Sequence, residues 1–339
     1  MENKVQYSHY RIPLDKQIEN SNYIYTFQDY IFIKVINKNK EQILEVSPLP
    51  KFSEEKIESI IKIFKDKDYK YRDDFPSLDY GISQLNQSFK KIDDIKTVML
   101  LGNSNKLEEE INNYIKFGYK SFKIKFTKDD FKYKYKILDK LINNYKIRAD
   151  FNNEFSILEA QRFLDKNRNI KFEFIEGLLK SKKIKNYLKI NRHNQKISID
   201  ITNDNLNEIQ EVIQNNCIDY VAIKPKLLGN YKKTKILIDI LHKANIKSYI
   251  SSSFETQIGF YKTITLAKYI DEIYKKKISH GLSTSKYLNN KINNGILFKK
   301  EKVSCEYKKI NFDNLKNYQV TFWEDIKNKS LLEIIKNEK

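Results

Sequence analysis

Five runs of β-type residues in this chain end on a charged side chain at an even interval. They end at Lys125 (FKIK), Asp150 (IRAD), Glu176 (FEFIE), Asp200 (KISID) and Lys224 (VAIK), spaced by 25, 26, 24 and 24 residues. Each interval is the length of one strand plus one helix. In a closed βα barrel all strand C-termini meet on one face, where active sites are built. The spacing therefore predicts that a lysine, three carboxylates and a second lysine converge. Three carboxylates on adjacent strands repel one another unless a cation neutralises them, and hard oxygen donors suit Mg²⁺ better than zinc. Such a metal can hold a substrate carboxylate and stabilise the enediolate formed when an α-proton leaves. The flanking lysines face a substrate from opposite directions. A partly desolvated lysine beside a cation can serve as a base near neutral pH. Lys123, two residues before Lys125, reads as an orienting or electrostatic residue. Singly, each of these has a blander account, since an acid after a strand is commonly a helix N-cap and a lysine is commonly solvated surface. The coincidence of spacings carries the reading.

The elements that must position these residues follow a rhythm that begins near residue 97. Short β-type runs (TVMLL, SFKIKF, IRADF, FEFIE, ISIDI, YVAIK, SYISS) alternate with helical segments such as Lys106–Lys116, Asp130–Asn143, Leu206–Gln214 and Lys232–Lys243. Strands alternating with helices indicate a parallel sheet. Seven or eight such units favour a closed barrel over an open doubly wound sheet, and no Gly-rich strand-to-helix turn supports a dinucleotide fold. Residues 1–95 differ. Tyr30–Val35 (YIFIKV) and Gln42–Val46 (QILEV) suit an antiparallel sheet. After the turn SPLP, helical periodicity runs over Ser53–Phe64 with Ser53 as N-cap, and Pro76 opens another short helix. The last forty residues break the rhythm and are expected to pack back on the N-terminal region.

A net charge of +19 invites a nucleic-acid reading. The basic residues are overwhelmingly lysine, with arginine only at 11, 72, 148, 162, 168 and 192, and no block of five or six like charges occurs. Scattered lysines beside many Asn and Ile fit codon drift on any fold, so no nucleic-acid partner is expected. Cys217 and Cys305 form neither a disulfide framework nor a zinc pattern. The four histidines include no close pair, and His280 reads as a packing or backbone-bonding residue. The first fifteen residues lack a signal-peptide core and no apolar stretch has the length of a membrane span. The expectation is a soluble cytoplasmic protein with no membrane partner.

The same residues carry a family resemblance. The pair Lys123-Ile124-Lys125, the three acids and the IKP lysine resemble the muconate-lactonising-type subgroup of the enolase superfamily. Four further segments resemble the o-succinylbenzoate synthase family within it: EVSPLPKFSEE (Glu45–Glu55), VAIKPKLLGN (Val221–Asn230), ISSSFETQIG (Ile250–Gly259) and HGLSTSKYLNN (His280–Asn290). The resemblance runs from near residue 5 to near residue 300. It implies an α+β capping domain over residues 1–95, a modified (β/α)₇β TIM barrel over 96–299, and residues 300–339 packed on the cap. It implies Lys125 as acid/base, Lys224 as the enediolate-stabilising partner, and Asp150, Glu176 and Asp200 as Mg²⁺ ligands. It further implies a carbon–oxygen lyase acting on a small dicarboxylate in menaquinone biosynthesis. Arg148 and Asn152 match residues flanking the first metal ligand, and Ser252 and Ser253 match serines that donate to the succinyl end of the substrate. Glu255 is expected to pair with Lys224. The pattern departs in places. Gly177-Leu178 replaces an acidic-Pro pair, Ile201 replaces a glutamate, and the closing segment Lys16–Gln28 matches least. N-acylamino acid racemisation or dipeptide epimerisation would use the same two lysines and is the alternative.

Overall fold

The computed structural model describes residues 4–20, 23–37, 40–68, 75–101, 106–181 and 183–337. Near the N-terminus, β1 (Lys4–Asn20), β2 (Tyr23–Asn37) and β3 (Lys40–Val46) form an antiparallel meander. Strand β2 is apolar at consecutive positions because both its faces are covered. Ile31, Ile33 and Val35 pack with α1 (Ile57–Lys65) and α2 (Pro76–Ile82), whereas Tyr30 and Phe32 pack with Leu227, Phe254 and Ile258. Successive strand residues point to opposite faces, so burial on both sides yields a continuous run, not an alternation. The β1–β2 register shifts between Pro13 and Ile18, where proline withholds one ladder donor. Beyond the shift, the hairpin end carries Ile18 and Tyr25. Of the expected closing segment Lys16–Gln28, residues 21 and 22 lie outside the described residues.

The first helix starts later than its periodicity predicts. Ser53 does not cap it: its hydroxyl accepts the Leu49 N–H at 2.9 Å, closing a turn in which Ser53 N also donates to Leu49 O at 2.8 Å. A serine hydroxyl bonded to local backbone competes with helix, and α1 begins at Ile57.

Strand β4 (Ile92–Lys96) leads into seven parallel strands: β5 (Met99–Leu101), β6 (Ser121–Lys125), β7 (Lys146–Asp150), β8 (Phe174–Glu176), β9 (Ile197–Ile201), β10 (Tyr220–Ile223) and β11 (Lys247–Ile250), paired in chain order. Between and after them come α3 (Leu107–Lys116), α4 (Phe131–Leu138), α5 (Ile157–Lys166), α6 (Ile209–Gln214), α7 (Pro225–Leu228), α8 (Tyr231–Lys243) and α9 (Gln257–Ile273). These seven strands match the seven β-type runs read from the sequence. The sheet curls closed through two residues: His280 bridges in parallel to Thr97 and Gly281 to Ser251. His280 is fully buried and its Nδ1 accepts the Ile250 N–H at 3.0 Å, the backbone-bonding role expected of it. Outward residues such as Phe122, Ile124, Ile147, Ala149, Ile197 and Ile199 join the large core shared with the helices. Their neighbours in sequence point the other way, into the lumen, and these are the charged ones.

After α10 (Asn290–Asn293), β12 (Ile296–Lys299) and β13 (Lys302–Cys305) make a small antiparallel sheet with β4. The chain then returns to the N-terminal sheet, where β14 (Glu324–Asp325) pairs with β1 and α11 (Lys329–Asn337) adds Leu331 and Ile335 to the core under α1. No helix among the described residues is long and apolar enough to cross a membrane.

Glu45, at the end of β3, joins the two sheets. Its carboxylate accepts from Thr256 N (3.0 Å), Thr256 Oγ1 (2.5 Å), Gly259 N (3.1 Å) and Ser47 Oγ (2.7 Å). Thr256 caps α9, so an acid from one sheet satisfies the free N–H groups of a helix on the other. Burial pushes the Glu45 carboxyl up to about 7, outweighing the Thr256 and Ser47 donors and the Lys226 ammonium. Protonation therefore favours the folded state. This contribution is complete below the unfolded value near 4.5 and is lost as pH rises through 7. Urea denaturation should show Glu45→Ala destabilised by about 3–5 kcal/mol. From pH 5 to pH 8 the wild type should lose on the order of 3 kcal/mol relative to Glu45→Gln.

Candidate functional site

Lys123 and Lys125 stand two apart on β6, so both face the lumen. Pairing carries the cluster around the barrel: Lys125 lies opposite Asp150, and Asp150 opposite Glu176. Glu176 lies opposite Ser198, two residues before Asp200, and Asp200 lies opposite Ala222, two residues before Lys224. Register alone thus assembles all six charges at one end of the sheet.

The six groups are distributed unevenly. Lys123 Nζ lies 2.6 Å from Glu176 Oε1 and 3.1 Å from Asp150 Oδ2. Lys224 Nζ donates to Asp200 Oδ1. Lys125 Nζ has a neutral partner, Asn152 Oδ1 at 3.0 Å. Burial disfavours the Lys123 ammonium, but Asp150, Glu176 and Asp200 outweigh it and hold the group well above the ordinary lysine range. Lys125 shifts the opposite way. Burial lowers it, Lys123 and Lys224 add to that, and the attraction of Asp150 and Glu176 does not compensate. Burial works against ionised Asp150, yet Lys123, Lys125 and the Asn152 N–H bring its carboxyl down to about 2. Glu176 is raised by burial and by the two neighbouring acids. Of the paired lysines on β6, Lys123 is locked as a cation and Lys125 is the one whose proton is held loosely.

Asp150, Glu176 and Asp200 are oxygen donors on three successive strands, and that chemistry fits a hard divalent cation. As they stand, each carboxylate is turned to a lysine, and among the described residues no three acidic, histidine or cysteine side chains form a closed metal cage. Ammonium groups already sit where positive charge is needed. Three lysines at most balance the three carboxylates, so Mg²⁺ would leave a positive excess for an anionic substrate to meet.

A cavity of about 90 Å³ lies over the cluster, lined by Lys123, Lys125, Asp150, Glu176, Asp200 and Lys224. The N-terminal sheet and its following turn cover it with Ile18, Tyr25, Leu49 and Phe52, and the far wall is Ser251–Ser253, Phe254 and Thr284. Ser252 Oγ bonds Thr284 Oγ1 at 2.6 Å, while Ser253 Oγ is buried with no hydrogen-bond partner among the described residues. Gly177 also lines it at φ +59°, where an added Cβ would lie 3.3 Å from the N–H nitrogens of Asn152 and Asn153. With a positive φ and two backbone nitrogens this close, glycine is the residue that fits at 177.

One sequence-predicted contact is not made, and one flanking residue forms a structural salt bridge. Glu255 does not pair with Lys224. Its Oε2 accepts the Ser253 N–H at 2.6 Å and its charge acts on the buried Lys226, because it points away from the lumen toward the N-terminal sheet. Arg148 is fully buried below Asp150, donating to Glu173 Oε2 at 2.7 Å with its guanidinium over Phe174 and Tyr249. The structure also adds Tyr249 and Ser198, which sequence reasoning missed. A tyrosine or serine inside an apolar strand reads as core until its partner across the lumen is known.

A family model described as Enolase C-terminal domain-like matches residues 106–295, more than half of the chain. Among solved structures, o-succinylbenzoate synthase from Thermosynechococcus elongatus, complexed with magnesium in its active site, superposes with a TM-score of 0.68 at 18% identity over 84% of this chain and 94% of that one. The L-Ala-D/L-Glu epimerase from Bacillus subtilis gives 0.71 at 15% identity over 89% and 95%. N-succinyl Arg/Lys racemase from Bacillus cereus gives 0.76 at 17% identity over 96% and 100%. No curated protein sequence matches the chain. At these identities the likenesses establish the fold and leave the reaction to be argued from the site.

Removing the ammonium between Asp150 and Glu176 should leave two buried carboxylates uncompensated. In EDTA, Lys123→Met should lose about 3–5 kcal/mol in urea denaturation, and millimolar Mg²⁺ should restore part of that loss.

Proposed function

The chain belongs to the enolase superfamily, and from that premise we propose that it is an o-succinylbenzoate synthase. In this reading it is a carbon–oxygen lyase that dehydrates 2-succinyl-6-hydroxy-2,4-cyclohexadiene-1-carboxylate to 2-succinylbenzoate in menaquinone biosynthesis. The observation that carries the reading is the cavity wall opposite the lysines, Ser251–Ser253 and Thr284, whose segments Ile250–Gly259 and His280–Asn290 resemble the synthase family. Lys224 donates to Asp200, whereas Lys125 meets the neutral Asn152 amide oxygen and its ammonium pKa is lowered by burial. Lys125 acting as base on one face is all that the elimination requires. Racemisation would need both lysines to exchange protons, one on each face.

Asp150, Glu176 and Asp200 would hold Mg²⁺, which neutralises the ring carboxylate and the enediolate charge that grows there. Lys125 takes the proton from the carbon bearing that carboxylate. The ring C–O bond then breaks, its hydroxide accepts the same proton from Lys125, and water leaves as the electron pair becomes the last ring double bond. Lys224, on the opposite side, would balance the enediolate charge. Ser252 and Ser253 supply hydroxyls at the wall that would meet the succinyl end. Tyr25 and Phe52 cover the cavity and keep bulk water from the charged intermediate. Aromatisation drives the step, so positioning and charge neutralisation are the protein's main tasks.

The test is conversion of the cyclohexadiene substrate followed by ultraviolet absorbance, with the product identified. Turnover should require Mg²⁺, stop in EDTA, and fall about 10²–10⁴-fold or more in Lys125→Ala. Because Lys125 must be neutral to act, kcat/KM should rise with pH to a midpoint below the ordinary lysine value of 10.5. Deuterium exchange into N-acylamino acids or dipeptides, without dehydration by folded, Mg²⁺-loaded protein, would replace this reading with the racemase or epimerase one.

A further inference from the structure

Glu176 is held from two sides by different kinds of donor. Its Oε1 takes the Lys123 ammonium at 2.6 Å, and its Oε2 takes the Tyr249 hydroxyl at 2.5 Å. The phenol is itself part of a chain. A carboxylate only accepts, so Tyr249 donates to Glu176, and Ser198 Oγ, 3.1 Å away, donates to the phenol oxygen. The tyrosine ring cannot drift. It stacks on Phe174 at 5.3 Å between centroids, with the Arg148 guanidinium 5.0 Å over its face, and it is 1% exposed. Phenylalanine would fill this space equally well, so packing accounts for the ring but not for the hydroxyl.

We infer that Tyr249 is a positioning residue for the divalent cation, its phenol fixing Glu176 in the orientation that presents the carboxylate to the metal. The inference rests on Asp150, Glu176 and Asp200 being the magnesium ligands. Lys123 and a metal compete for the same carboxylates because both are cations. The phenol is neutral, so it can keep its bond to Glu176 with the metal in place. Partners of this type orient ligands, and losing one commonly costs 10–100-fold in metal affinity.

Isothermal titration of the full chain with Mg²⁺, and Mn²⁺ titration followed by electron paramagnetic resonance, test this directly. Tyr249→Phe should weaken the cation by about 10–100-fold, and the rise in thermal midpoint on adding Mg²⁺ should be smaller than in wild type, even though the metal-free midpoint also falls for want of the donor to Glu176. Its kcat should return toward wild type at saturating Mg²⁺. Ser198→Ala, which removes only the donor behind the phenol, should weaken binding in the same direction by less. It also decides the question if Tyr249→Phe does not fold. Unchanged metal affinity in the folded variants overturns the role of Tyr249 and leaves the synthase reading intact. Absence of cation binding by the wild type overturns the metal site itself.

Discussion

The need to neutralise three carboxylates at the ends of adjacent strands, two of them buried, organises this molecule. An isolated buried carboxylate is costly, and three together are worse. The chain meets that cost with side chains from the same lumen layer. Lys123 bridges Asp150 and Glu176, Lys224 takes Asp200, and the Tyr249 phenol completes Glu176. The lysines at most balance the carboxylates, and that sets up the chemistry. A divalent cation gives the cluster surplus positive charge, which an anionic substrate then meets. The same field divides the labour between two lysines only two residues apart, one locked as a cation and one left with a loosely held proton.

A second buried charge cluster sits where the N-terminal sheet meets the barrel. Glu45 caps α9, Lys226 donates to Ser253 O and to Ser47 Oγ at 3.3 Å, and Glu255 accepts from Ser253 N. Ser252 and Ser253 thereby stand between two charged layers, one facing the cavity and one facing the seam. Tyr30 reaches across the seam to Phe254 O at 2.7 Å. These bonds hold the covering residues Tyr25 and Phe52 and the serine wall on a common framework, so closure over the cavity depends on polar contacts far from the reacting atoms.

The barrel strands were the most legible elements because each combines an apolar outward face with a polar residue at its end, and both features are local. Helix starts were less legible. The α1 start depended on whether the Ser53 hydroxyl would bond Leu49 or cap a helix, and both are locally available to serine. The eighth strand was legible only as a motif. In the fold it shrinks to His280 and Gly281, two residues whose bridges close the sheet. Glu255 misled because a glutamate following a serine-rich strand end can turn to either side, and the side is set by Lys226, itself buried by the N-terminal sheet.

By itself, the sequence determined the alternation of strands and helices, the family, and the even spacing of Lys125, Asp150, Glu176, Asp200 and Lys224. Spacing is a property of the chain, and barrel geometry converts it into convergence. Tertiary structure alone decided which lysine meets which acid, that Lys125 is left with a neutral partner, and that Tyr249 and Ser198 belong with Glu176. Those outcomes depend on distances across the lumen between residues 24 to 73 positions apart, and side-chain contacts at that range are set by strand register and packing, which no local pattern encodes.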